Sequence, residues 1–233
     1  MKVFKFGGAS VKDAAGVKNL SSIVHHQHGQ LVVVVSAMGK TTNLLETLCN
    51  AYFHKDPKVA SIMKELKSFH LAIVDSLFPL NDEVYKHLEE LFTNLENILS
   101  SESSLCYDYE YDRIICFGEL ISTTIISDYL KMEGIDNQFI DIRKYLKTDQ
   151  NYRNANIDLE LSGQLCREAF DFNTAPVFVT QGFIAGTRTN QTTTLGREGS
   201  DYTAALLANL LNAEDVTIWK DVPGVMNADP TEY

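Results

Sequence analysis

The chain of 233 residues is 45% hydrophobic and 22% charged, a balance that excludes an intrinsically disordered protein and suffices for one large domain or two small ones. Its 31 Asp+Glu against 20 Lys+Arg leave a net charge of -11, which argues against general binding of nucleic acid or anionic membrane, while a local cluster of donors and cations can still hold a small anion. Cys49, Cys106, Cys116 and Cys166 are widely spaced with no C-x-x-C pair and no zinc-ligand pattern, so they read as reduced thiols in a cytoplasmic chain.

Residues 1–8 read as a strand entering a glycine turn and lack the apolar core of a signal peptide, and no later run approaches the roughly 20 apolar residues that span a bilayer. Residues 3–6 and 31–35 are short β-branched or aromatic runs separated by a helical pattern at 11–27, which predicts a β-α-β unit and a parallel sheet. Lys5-Phe6-Gly7-Gly8-Ala9-Ser10 ends the first strand. Its glycines let the backbone approach a phosphate, the following helix would offer free N–H groups, and Lys5 adds a full positive charge. The same segment also reads as a plain strand-to-helix turn with Ser10 as N-cap. His25-His26-Gln27-His28 reads as a solvated helix end and not as a metal site. Gly39-Lys40-Thr41 ends like a Walker A loop, but the glycine required five positions before Gly39 is Val34, so no P-loop is present. Ser36 and Thr42 then offer hydroxyls beside the first loop if the two strands are neighbours.

Helical patterns follow at 41–54, 58–77, 82–100 and 107–132, and the glycine-free, acidic segment at about 55–105 reads as an inserted helical layer or lid. Within the last helix, Glu119 is flanked by Ile114, Ile115, Leu120 and Ile121, where burial would be costly without a cation. Either a ligand amine is its partner, or it lies on a solvated face or pairs with a nearby base. A strand at 136–141, a helix at 157–170 and a strand at 177–181 precede a hairpin whose turn residues are expected to be Gly186 and Asn190. Thr194-Leu195-Gly196-Arg197-Glu198-Gly199-Ser200-Asp201 then opens a helix at 199–212. It combines two glycines, an Arg suited to bidentate carboxylate or phosphate binding, and Ser and Asp at a helix N-terminus, beside the simpler reading of an N-cap. A last strand at 216–219 leads into Lys220-Asp221-Val222-Pro223-Gly224-Val225, a sharp turn that suits a nucleotide edge or an ordinary loop, with Trp219 read as core packing. This alternation predicts an α/β protein: a three-layer α/β/α sandwich with a mainly parallel central sheet, its ligands beyond the carboxyl ends of the strands.

Taken in order, Lys5-Phe-Gly-Gly, Ser36, Gly118-Glu119-Leu, Thr193-Thr-Leu-Gly-Arg-Glu-Gly-Ser-Asp201 and Trp219-Lys-Asp-Val-Pro-Gly-Val resemble the aspartate kinase family of the amino acid kinase superfamily. The resemblance implies ATP-dependent phosphorylation of the L-aspartate β-carboxylate to 4-phospho-L-aspartate, on the route to lysine, threonine and methionine, with ATP and Mg2+ as cofactors. By position, Lys5 would stabilise charge on the transferring phosphoryl group and Asp201 would orient Lys5. Gly7, Gly8, Ser10 and Ser36 would line the phosphates, with Lys220 and Asp221 at the nucleotide. Arg197 would hold the substrate α-carboxylate and Glu119 its amine, with Ser36, Thr42 and Ser200 assisting. No strong general base is required, because the nucleophile is already a carboxylate.

The chain departs from the family pattern at Ala9, Glu198 and Lys220, where Thr, Gly and Thr are usual, and at Met226 and Thr231, where an aromatic and an Arg are common. Tyr233 would fall inside the family's nucleotide-binding lobe, before a further lysine-containing segment and a pair of regulatory ACT domains. Residues 1–233 are therefore expected to be a truncated catalytic domain that binds and turns over weakly, capable of forming a homo-oligomer. Two other readings stand beside this one: the same fold acting on another small amino acid or acid, such as acetylglutamate or carbamate, and a ligand-binding fragment without turnover.

Overall fold

The computed structural model describes residues 1–220. Five strands, β1 (Lys2–Phe6), β2 (Leu31–Val35), β3 (Asn137–Ile140), β5 (Val177–Gln181) and β8 (Asp215–Trp219), form one wholly parallel sheet in the order β3-β5-β2-β1-β8. The run Leu31-Val-Val-Val-Val35 is buried at every position, as a central parallel strand covered on both faces must be. In the register of β1, Lys5 pairs with Val34 on one side and Ile218 on the other, one residue short of the strand ends. A smaller sheet joins β4 (Lys147–Thr148), β6 (Ile184–Thr187) and β7 (Thr192–Thr194). Strand β6 runs antiparallel to β7, which is the expected hairpin.

Helix α6 (Phe117–Met132) packs on β2, β3 and β5, while α8 (Gly199–Leu210) covers β1, β2 and β8, with α7 (Leu159–Ala169) behind it. Helices α1 (Ala14–His26) and α2 (Thr41–Phe53) lie on the α6 side. The three expected layers are thus present. The segment read as a layer or lid forms α3 (Val59–Leu77) and α4 (Glu83–Ser100), which pack on the outside of α6, and none of its residues lines the cavity described below. It packs as a layer. Asp82 caps α4 by accepting from Val84 N at 3.1 Å, and Val84, Leu88, Phe92 and Leu95 form the buried stripe. Each such side chain contributes roughly 1.5–3 kcal/mol on burial. Covered on both sides, α6 is buried nearly all round, its polar Glu119, Ser122, Thr123 and Ser127 included. No described helix is long and apolar enough to cross a membrane.

Three local expectations need correction. The helix at 107–132 is two, α5 (Tyr107–Ile115) and α6, broken at Cys116. Asp112 ties α5 to β7, whereas Gly118 presses α6 onto the segment after β2, where a Cβ would lie 2.9 Å from that of Ala37, so the chain shifts between these anchors. The first helix begins as a separate 3-10 turn, Gly8–Val11, and α1 is capped by Asp13, which accepts from Gly16 N at 2.8 Å; Ser10 is not its cap. Gly186 sits inside β6, where a Cβ would come 2.3 Å from Arg143 O, and the hairpin turn is made at Asn190, with φ 64.

The carboxyl end of β5 meets the start of α8 closely: a Cβ on Gly182 would lie 2.6 Å from Ser200 Cβ. Gly182→Ala is therefore expected to push α8 off the sheet and cost about 1–3 kcal/mol, a fall of roughly 2–12 °C in Tm for a chain of this size, read by thermal unfolding. A melting temperature equal to that of the unsubstituted chain would show that the contact relaxes freely.

Candidate active site

A cavity of about 660 Å3 opens beyond the carboxyl ends of β1 and β2, and Lys5, Ser36, Thr42, Glu119, Arg197, Ser200 and Asp201 all line it. Seven side chains separated by up to two hundred positions thus converge as expected.

Lys5 projects from the buried strand β1 and is only 6% exposed, a costly place for an ammonium without a counter-charge. Asp201, in the first turn of α8, supplies it: Lys5 Nζ lies 2.6 Å from Asp201 Oδ1, and Lys220 Nζ lies 3.1 Å from Oδ2. Burial works against the charged Asp201, but hydrogen bonds and charge from Lys5 and Lys220 outweigh it and hold the carboxyl below its usual range. The loop after β1 is bound to its neighbours, with Gly7 N donating to Trp219 O at 3.2 Å and Ser10 Oγ donating to the same carbonyl at 3.3 Å. Gly8 has a steric task, since a Cβ there would fall 2.5 Å from Ala37 O, and Gly39 N donates to Gly8 O at 3.0 Å. Gly7, Gly8 and Ser10 stand beside the cavity and not in its lining. Trp219 stacks on Phe6 with centroids 5.9 Å apart, which matches the core-packing reading. Asp221, Met226 and Thr231 lie outside the described residues.

Glu119 is not on a solvated face. It is 3% exposed in the first turn of α6, its Oε1 accepts from Ala37 N at 3.2 Å, and its Oε2 has no partner among the described residues. Burial pushes its carboxyl up to about 8, with hydrogen bonds only partly opposing. No described cation pairs with it, so a buried acceptor faces the cavity with one oxygen open. Arg197 stands in the loop between β7 and α8, flanked by Gly196 at φ 78 and Glu198 at φ 55, and is exposed and free of ion pairs among the described residues.

The remaining wall was not legible in the sequence. Glu46 comes from α2, Tyr111 and Asp108 from α5, and Arg153 from the 149–156 loop. Asp112, fully buried, accepts from Arg153 N at 2.9 Å, from Thr194 N at 2.9 Å and from Thr194 Oγ1 at 2.7 Å. Burial raises its carboxyl to about 6 and those hydrogen bonds pull the other way. Among the described residues no three His, Cys, Asp or Glu side chains gather as a metal site. The His25 to His28 cluster lies at the exposed end of α1, as expected.

The chain matches the model of the amino acid kinase family over residues 1–233. Lysine-sensitive aspartokinase 3 of Escherichia coli is 32% identical over 230 residues, which make up 98% of this chain and 50% of that protein. The crystal structure of E. coli aspartokinase III in complex with aspartate and ADP aligns with a TM-score of 0.90 at 31% identity, covering 99% of this chain and 51% of that one. Aspartate kinase from Clostridium acetobutylicum aligns with a TM-score of 0.78 at 26% identity, over 99% of this chain and 50% of that one. The chain spans about half the length of these relatives.

Proposed function

Because the chain belongs to the amino acid kinase family, we propose that it takes part in transfer of the γ-phosphoryl group of ATP to the β-carboxylate of L-aspartate, giving 4-phospho-L-aspartate and ADP. The observation that carries this reading is Glu119, a buried carboxylate with an open oxygen and no cation, in the same cavity as the Lys5–Asp201 pair. An ammonium group supplies the missing charge, and one borne on a small amino acid reaches it from the cavity. Arg197 takes the α-carboxylate, which turns the β-carboxylate toward Lys5. The Lys5 ammonium then stabilises charge on the phosphoryl oxygens, and Asp201 holds it there, so that catalysis rests on positioning and electrostatics. The β-carboxylate attacks as it is, without a general base.

The sets of residues present suit a magnesium ion carried by the nucleotide, since the ion prefers phosphate oxygens and water with at most one or two carboxylates, and the described residues offer no three-carboxylate cage. Bound, it would neutralise phosphate charge. The alignment with a structure named as a complex with aspartate and ADP supports the same pair of substrates here. A reducing cytoplasm suits the four free thiols.

The test is nucleotide turnover with hydroxylamine present to trap an acyl phosphate as its hydroxamate. Hydroxamate and ADP should form together with aspartate and not with glutamate or acetylglutamate. ADP release that ignores the acceptor, or hydroxamate formed better from another acid, would overturn the assignment.

A further inference from the structure

We propose that Arg153 is a second arginine of the acceptor site, binding the substrate α-carboxylate together with Arg197. The inference rests on the amino acid reading of the cavity given above, and deepens it. Arg153 lines the cavity, yet its backbone is left-handed, with φ 66, a conformation glycine adopts far more readily. The surrounding structure holds this backbone in place: Arg153 N donates to Asp112 Oδ2 at 2.9 Å, and Asp112 is itself fastened to Thr194 of β7. The side chain packs against α5. Its guanidinium lies 4.3 Å from the centroid of the Tyr111 ring, and Tyr111 in turn donates its hydroxyl to Glu46 Oε1 at 2.7 Å.

What remains open is the hydrogen-bonding edge. A guanidinium stacked by its face keeps its fork of donors for a planar anion. Arg153 spends one donor on Asp108, Nη1 to Oδ1 at 3.2 Å, and that partner is 54% exposed, so the ion pair is weak and readily exchanged for a ligand carboxylate. The two arginines also come from touching loops. Ala155 N donates to Thr194 O at 3.0 Å, and a Cβ on Gly196 would lie 2.7 Å from Asn154 Oδ1, which places the residue after Arg153 against the residue before Arg197. Arg197 is exposed and makes no ion pair among the described residues, whereas Arg153 is stacked on Tyr111, so the pair joins an unpaired cation to a preorganised one. Glu46, Asp108 and Glu119 line the same cavity and repel a dicarboxylate, which makes a single arginine a poor match for it.

A merely structural Arg153, stapling its loop to α5, would weaken every ligand alike. Calorimetric titration of the chain with L-aspartate and with isoasparagine, the α-amide of aspartate, separates the two roles. The unsubstituted chain should prefer aspartate. In Arg153→Ala, aspartate affinity should fall about tenfold or more, the loss expected for a hydrogen bond between charged groups, while isoasparagine affinity stays unchanged, so that only the preference supplied by Arg197 is left. Arg153→Lys should fall between. Melting curves confirm that both variants fold. Equal losses for both ligands, or unchanged aspartate binding in Arg153→Ala, would overturn this inference alone; a chain that binds no aspartate before substitution would overturn the acceptor reading and this inference with it.

Discussion

Lys5→Ala is expected to slow phosphoryl transfer by about two to three orders of magnitude, the usual effect of deleting one preorganised charge or donor aimed at the transition state. The ammonium is fixed before any ligand arrives: it sits on a strand in the middle of the sheet, it is almost wholly buried, and Asp201 holds it at 2.6 Å. None of that order has to be created during the reaction, so its loss falls on the rate more than on binding. Asp201 would keep Lys220 at 3.1 Å in the variant, which limits the damage to the fold. Single-turnover quenching with protein in excess over labelled ATP reads the step even when turnover is slow. A rate within threefold of the parent would remove Lys5 from the chemistry.

Glu119→Gln should make the protein more stable and remove its affinity for aspartate. The amide keeps an oxygen for Ala37 N and nearly the same volume, while the cost of burying an unpaired carboxylate disappears. The pH dependence follows from a carboxyl raised from 4.5 to about 8. Below 4.5 it is protonated in both folded and unfolded chains, and the parent bears no penalty. Between 4.5 and about 8 the folded chain holds a proton that the unfolded chain has released, so stability declines with rising pH, and above that range the full penalty applies. Chemical denaturation should show a steeper decline in the parent than in Glu119→Gln, most clearly between pH values of about 6 and about 8, above the range in which Asp112 adds its own decline. Binding of an ammonium reverses the balance, because it favours the charged carboxylate. Aspartate binding near pH 7 should therefore release protons in the parent, detected as a buffer-dependent calorimetric heat, and the variant should lose about a hundredfold or more in affinity along with the release. A variant that binds aspartate within a few-fold of the parent would show that the amine lies elsewhere.

The strand-end clusters were readable because their chemistry is local. Glycines beside a lysine at the end of a short β-branched run, or around an arginine before an apolar helix, have few uses. Glu119 could be flagged, since a charge in an apolar stretch demands an explanation, but its burial comes from the docking of α6 against Ala37 after β2, which the sequence does not announce. Arg153, Tyr111 and Glu46 gave no signal. They are ordinary surface residue types on three elements far apart in sequence, and only the docking of α5 against both α2 and β7 brings them together. The break at Cys116 was hidden for the opposite reason: the apolar pattern runs straight across it, and what divides the helix is the pull of two tertiary anchors. Gly186 misled because glycine serves both a turn and a close approach of two backbones, and the sequence does not distinguish them.

The backbone of Ala37 faces two ways. Its carbonyl lies against Gly8 on the side of the loop expected to hold the nucleotide, and its N–H binds Glu119 on the acceptor side. A ligand that pushes the Gly8 loop toward Ala37 presses on the same residue whose N–H positions the buried carboxylate. The two halves of the site thus meet at one residue, through the two successive peptide planes that flank its Cα.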